Sequence, residues 1–129
     1  MTQSIAAVTL LVRNYDEAID FFTRSLRFAL LEDTSLGEGK RWVRVGGDGP
    51  GGMALLLARA ATPEQQAQIG RQGGGRVWLF LHSTDFWGDY HHMRSQGVVF
   101  CEKPREEVYG TVVVFADLYG NQWDLIQRR

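Results

Sequence analysis

Residues 8–12 (VTLLV) run into residues 14–22 (NYDEAIDFF), and the pattern starts again 69 residues later at residues 77–81 (VWLFL). Sliding the sequence against itself by that interval gives about a dozen identities in about 60 pairs, where chance gives about four. They fall in order and without a gap: Val8/Val77, Leu10/Leu79, Asp16/Asp85, Asp20/Asp89, Val43/Val112, Val45/Val114, Asp48/Asp117, Gly51/Gly120 and Leu56/Leu125. A repeat of this length in a chain of 129 residues is one half-domain written twice. Two similar halves make a cleft between them the expected place for a site.

The local patterns agree with the repeat. Residues 8–12 are short and apolar on both faces, as a buried strand requires. Asn14 with Glu17 three positions on has capping-box spacing, and Ala18, Ile19, Phe22 and Leu26 make the apolar side of a helix over about 15–26. Residues 28–31, 40–45 (KRWVRV) and 53–58 (MALLLA) read as three further strands, with a glycine-rich turn over 46–52. Thr62-Pro63 opens a short linking helix and residues 70–75 a flexible joint. The second half repeats the order: a strand at 77–81, a helix over 85–95 closed by Gly97, and strands at 98–101, 111–116 and 122–126. The charged stretch Glu102, Lys103, Arg105, Glu106, Glu107 reads as a solvated connection.

Composition narrows the function classes. A net charge of −1 recommends neither nucleic acid nor an anionic membrane, and no apolar run is long enough to span a bilayer. The N-terminus shows no signal-peptide pattern. Cys101 is the only cysteine, which excludes a disulfide within the chain and fits a cytoplasmic setting. No nucleophile-elbow, phosphate-loop or zinc-finger spacing occurs.

Two β-α-β-β-β modules, a first strand leading into NYDEAIDFF and a closing hairpin DLYGNQWDLIQ (117–127) closely resemble the vicinal oxygen chelate superfamily. That group includes glyoxalase I, extradiol dioxygenases, and fosfomycin- and bleomycin-resistance proteins. The resemblance covers nearly the whole chain. It implies an α+β fold: one domain over 1–129, with module one at 5–60, a linker at 61–75 and module two at 76–127. Each module would curl a mixed sheet into half a cup with its helix on the convex face. Because modules pair across a dimer in many members, a homodimer is expected.

Strand alternation assigns faces within that fold. Val8, Leu10, Val12 and their echoes Val77, Leu79, Leu81 should pack on the helices, with Trp123 and Leu125. Ala7, Thr9, Leu11, Arg76, Trp78, Phe80, Gln122, Asp124 and Ile126 should face the cup, with Met53, Leu55 and Leu57 as repeat partners of the last three. The superfamily's metalloenzymes hold a divalent ion on His, Glu or Gln of the first and last strands of each module. The corresponding places are Ala7, Leu55 (to within one residue), Arg76 and Asp124. Alanine and leucine offer no donor atom and a guanidinium repels a cation, so the resemblance admits a divalent metal but the residues lead us to expect no cofactor. His82, His91 and His92 do not supply a substitute set.

If the register holds, Arg76 and Asp124 are neighbours. They then form either a salt bridge filling the vacated centre or a working pair, with Arg76 replacing the metal's charge toward a carboxylate, phosphate or enolate oxygen of a small organic ligand. Thr9, Trp42, Trp78, Phe80, Tyr109, Phe115 and Gln122 would line the cup. The favoured expectation is a metal-independent binder of a small organic molecule, of the bleomycin-resistance type. The alternatives are a lyase, isomerase or dioxygenase-like enzyme using Arg76 and Asp124 or a non-standard metal site, and an interaction module whose cup is filled by side chains.

Overall fold

Asn14 starts the first helix as its position suggests: its backbone is extended, and its Oδ1 accepts the Glu17 N–H at 3.0 Å. Helix α1 (Tyr15–Asp20) continues through a π-helical stretch, Phe21–Ser25, so the predicted single helix changes its winding in the second half. Tyr15, Ala18, Phe22 and Ser25 are its buried residues. We describe residues 2–47 and 52–129 in a computed structural model. Most of the turn expected over 46–52, with Asp48 and Gly51 of the repeat, lies outside the described residues.

The chain separates into two units, Met1–Ile69 and Gly70–Arg129. In the first, strands β1 (Ala7–Val12), β2 (Ala29–Gly37), β3 (Lys40–Gly46) and β4 (Ala54–Arg59) form a sheet in the order β1-β4-β3-β2. β1 runs parallel to β4 and the other pairs are antiparallel. Val8 lies opposite Leu55 and Leu10 opposite Leu57, with Val45 and Val43 on their far sides. Leu10, Val12, Val43, Val45, Leu55 and Leu57 are all buried, so this is the face that α1 covers. Helix α2 (Pro63–Ala67) follows, capped by Thr62, whose side chain accepts the Gln65 N–H at 3.1 Å.

In the second unit, β5 (Val77–His82), β6 (Val99–Phe100), β7 (Arg105–Glu107), β8 (Gly110–Ala116) and β9 (Gln122–Arg128) form a sheet in the order β5-β9-β8-β6, with β7 also on β8. Helix α3 (Phe86–Ser95) is capped by Asp85 and followed by Gly97 at φ +82°. Its Tyr90 ring lies 4.7 Å from Phe100, and Phe100 and then Phe115 lead on to Trp123, so aromatic contacts tie helix to sheet. β7 corrects the sequence reading. The charged stretch before β8 is not wholly a solvated connection, because Arg105, Glu106 and Glu107 pair with Val112, Thr111 and Gly110.

Asp117 organises the β8–β9 turn. Its carboxylate accepts the backbone N–H groups of Tyr119 and Asn121, the Asn121 side-chain amide and the Trp123 indole N–H, each at 3.0 Å. Gly120 at φ +97° supplies the left-handed residue that the turn needs. No described helix is long and apolar enough to cross a membrane.

The two sheets are not registered alike. In unit one Leu55 faces Val8, so the repeat places Asp124 opposite Val77; instead Asp124 lies opposite Phe80, three residues further along. Three is odd, and an odd slip exchanges the faces of a strand. Leu56 therefore shares the side of Thr9, away from the helix, while its identical echo Leu125 is buried opposite Leu81. The expectation that Leu55 faces a cavity is corrected: it is buried under α1, whereas Leu57, also buried, lies at the edge of a groove, and Leu56 and Ala58 point away from the helix. Trp123 and Leu125 do stand on the helix side, as expected.

Candidate functional site

In unit one the β3–β4 ladder covers only Val43–Val45 against Leu55–Leu57, although β3 begins at Lys40 and β4 runs on to Arg59. Residues 40–42 are held by β2 and 58–59 by β1, and the two strands part between them. A groove of about 890 Å³ occupies that place. Thr9, Leu11, Leu56 and Ala58 form a largely apolar floor, Trp42 forms one wall, the β2–β3 hairpin from Leu36 to Lys40 forms the rim, and Tyr15, Arg41, Leu57 and Arg59, at helix-side positions, border it where the strands part. Gly37, Glu38 and Gly39 all have left-handed φ values, of +89°, +56° and +79°, which sets the sharp return of that hairpin.

The polar groups around the groove differ in how far they are committed. Trp42 donates its indole N–H to Glu32 Oε1 at 2.9 Å, and the same oxygen accepts Arg44 Nε at 2.9 Å. The hydrogen bond from Arg44 holds the Glu32 carboxyl below its ordinary range. Trp42 is thereby pinned while the residue stays 41% exposed. Arg41 is fully engaged: it donates to both Asp33 oxygens at 3.1 and 2.8 Å and to Asp16 at 3.0 Å, and its Cζ lies 5.1 Å from the centre of the Tyr15 ring. The Arg41 bond pulls the Asp33 carboxyl down in turn. Arg59, whose Cζ lies 6.0 Å from the centre of the same ring, has no carboxylate partner among the described residues, nor has Lys40.

In unit two the side of the sheet away from the helix carries a different group. Asp124 stands opposite Phe80 and Val114, and Arg105 stands opposite Val112 on that face. Arg105 donates to Glu102 at 2.9 Å and to Glu107 at 2.7 Å, and Glu102 also accepts the Val114 N–H at 3.1 Å. Asp124 Oδ1 is buried without a hydrogen-bond partner. Burial raises the Asp124 carboxyl above its ordinary range, Arg105 opposes that shift, and Glu102 adds to it.

The residues singled out in the sequence are partly brought together. Thr9 and Trp42 line the unit-one groove. Phe80 and Asp124 are register partners, and Gln122 lies on the same face two positions before Asp124. Phe115 is not a wall of a cavity: it is fully buried, stacked 5.8 Å from Trp123 on the helix side. Tyr109 sits in the β7–β8 turn, where its carbonyl accepts the Arg129 N–H. Trp78 lies at an irregularity between Val77 and Leu79 and meets Trp123 edge-on at 5.9 Å. Such a bulge reverses the alternation before it. Val77 accordingly pairs with Gln122 rather than with a helix-face residue. Arg76 precedes the bulge and is exposed, and the charges that act on Asp124 are Arg105 and Glu102; among the described residues no ion pair joins Arg76 to Asp124, and Arg105 is itself paired with Glu102 and Glu107. Sequence reasoning missed Arg59, Lys40, Arg105 and Glu102. The Gly37-Glu38-Gly39 turn signal was available for the hairpin rim, but nothing in the pattern announced the parting of β3 from β4.

Residues 4–125 match the family model for the Glyoxalase/Bleomycin resistance protein/Dioxygenase superfamily. The chain belongs to that superfamily. A protein from Shewanella frigidimarina is 56% identical over 98% of this chain and 95% of its own length. Among solved structures, UcmS2 superposes with a TM-score of 0.82 at 28% identity over 98% of each chain. TnmS3, an antibiotic-binding protein from Streptomyces sp. CB03234, does so with a TM-score of 0.79 at 25% identity, covering 100% of this chain and 99% of its own. The fosfomycin-resistance protein FosX of Listeria monocytogenes, at 11% identity and a TM-score of 0.73, shares the fold.

The divalent ion known among superfamily members does not fit the side chains here. The unit-one floor offers one hydroxyl, from Thr9, among alkyl groups. The position matching Asp124 by strand pairing is Ala58, since Leu11 faces Ala58 as Phe80 faces Asp124. Asp124 itself has a guanidinium beside it. Among the described residues no three His, Cys, Asp or Glu side chains come together as a ligand set.

Proposed function

We propose that this superfamily member binds a small, largely apolar organic molecule in the groove of its first unit, without a divalent metal. The observation that carries the reading is the groove itself, an opening of about 890 Å³ with an alkyl floor and a pinned tryptophan face. That volume lies within the usual range for a drug-sized ligand, and an apolar lining with a few placed polar groups is the usual composition. The floor lacks the donors a metal would need, so affinity has to come from apolar burial and stacking. Similarity to an antibiotic-binding protein over the whole chain supports a binding role.

Fluorescence titration of chelator-treated protein with bleomycin, a set of planar aromatic antibiotics and the neutral probe N-phenyl-1-naphthylamine tests the proposal. Saturable binding that survives excess chelator and weakens in Trp42→Ala is expected. Binding that vanishes with chelator and returns with zinc or manganese overturns it.

A second reading rests on Asp124. A buried carboxyl with a free oxygen and a raised pKa, beside Arg105, suits proton transfer. An Asp124→Asn variant that turns over a discovered substrate at the wild-type rate would remove it. We also propose that the chain forms a homodimer, with exposed apolar side chains such as Phe80 and Val99 as its surface. Sedimentation at twice the 14.6 kDa chain mass is expected, and a strict monomer at micromolar concentration rejects it.

A further inference from the structure

We infer that the end of the unit-one groove is an anion subsite, in which Arg59 with Lys40 receives a carboxylate, sulfonate or phosphate carried by the bound molecule. This rests on the groove being the binding site. Four cationic or anionic side chains line the groove: Glu38, Lys40, Arg41 and Arg59. Arg41 is neutralised by Asp33 and Asp16 and braced by the Tyr15 hydroxyl, which accepts its backbone N–H at 3.2 Å. Its role is therefore structural.

Arg59 stands by the same Tyr15 ring as Arg41, at the last position of β4, where the β3–β4 ladder has already ended. Its guanidinium rests on an aromatic face and keeps its N–H donors without a carboxylate among the described residues. Glu38 is held on the hairpin rim at φ +56° and forms no ion pair among the described residues. Lys40 and Arg59 outnumber Glu38, but Arg41 carries two carboxylates, so the cluster as a whole has no net charge and an anion is drawn by the uncommitted N–H donors of Arg59 rather than by a positive field. The floor beside it is alkyl and the wall is indole. The ligand class that matches both features is an amphipathic aromatic anion, its flat body on Trp42 and Leu56 and its charge on Arg59. A planar guanidinium binds an oxyanion through paired N–H bonds, which a lysine or a dipole does less well.

The test uses two probes of similar body: 8-anilinonaphthalene-1-sulfonate, which is anionic, and N-phenyl-1-naphthylamine, which is neutral. Wild-type protein and the Arg59→Gln, Arg59→Lys and Lys40→Gln variants are titrated with each. Arg59 is exposed, so its replacement leaves the fold in place. Arg59→Gln is expected to weaken the anionic probe about tenfold and to leave the neutral probe within twofold. Arg59→Lys and Lys40→Gln should give intermediate losses for the anion alone, and added salt should narrow the difference. If Arg59→Gln leaves the anionic probe unchanged, or weakens both probes equally, the subsite is wrong while the groove stands. If neither probe binds wild-type protein, the groove reading falls and the subsite with it.

Discussion

The carboxylate of Asp117 is the most exacting test of how unit two is held together. It satisfies four donors, two of them on side chains that are themselves 2% exposed, Asn121 and Trp123. Asp117→Asn keeps the size and removes one acceptor. If the remaining oxygen stays with the two backbone N–H groups, the new amide faces the Trp123 indole N–H and the Asn121 amide, donor against donor. Each buried unsatisfied donor costs about 1–3 kcal/mol. Burial holds the Asp117 carboxyl above its ordinary range despite these bonds, so removing its charge returns part of that loss. We expect a net destabilisation of about 3 kcal/mol, and a fall in Tm of roughly 10 °C. Urea unfolding followed by tryptophan fluorescence measures it. Trp123→Phe alone should cost less, since Oδ2 keeps Asn121, and the double variant should fall short of the sum by at least about 1 kcal/mol. A loss below about 1 kcal/mol for Asp117→Asn, or strict additivity, would refute the claim that this carboxylate is the hub of the turn.

Gly110 and Gly120 should respond very differently to alanine. At Gly120 the new Cβ meets nothing within 4 Å and the cost is only the strained φ, about 1 kcal/mol; at Gly110 it meets the Gln127 carbonyl oxygen across the ladder, and a loss above about 3 kcal/mol is expected by the same unfolding measurement. Asp124 predicts a pH effect. Its folded pKa is raised by burial, so its contribution favours the fold below the unfolded pKa and is lost as pH rises through the folded value. Asp124→Asn should therefore be more stable than wild type at pH 7, with the difference closing as pH falls below about 4; a constant difference contradicts the assignment. Leu56→Asn and Leu125→Asn, identical changes at repeat-related positions, should cost about 1 kcal/mol or less and above about 3 kcal/mol respectively, because only Leu125 is fully buried.

The fold was legible because turns and helix starts carry their own chemistry. Asn14 and Thr62 cap the helices that their side chains announce, and Gly97 and Gly120 take the left-handed turns. The site was legible only in part. Strand faces were read by alternation from a gapless repeat, which succeeds for β1 and for β9 above Gln122. It fails wherever pairing slips. The bulge at Trp78 and the three-residue shift of β9 are properties of strand partners, and no single-strand pattern records them. That is why Arg76 was paired with Asp124 and Leu55 placed in a cavity. Arg59 was missed for a related reason: its freedom depends on Asp16 and Asp33 neutralising Arg41, a contact across 25 and 8 residues.

The slip between the halves also fixes how this scaffold could be rebuilt. A designer copying a metal-binding set from one half to the other by the 69-residue interval would send half the new side chains into the core, since Leu56 and Leu125 occupy opposite faces. Transfer has to follow strand partners instead, with Ala58 answering to Asp124. Symmetry of the text and symmetry of the sheet have come apart, so restoring the first does not restore the second.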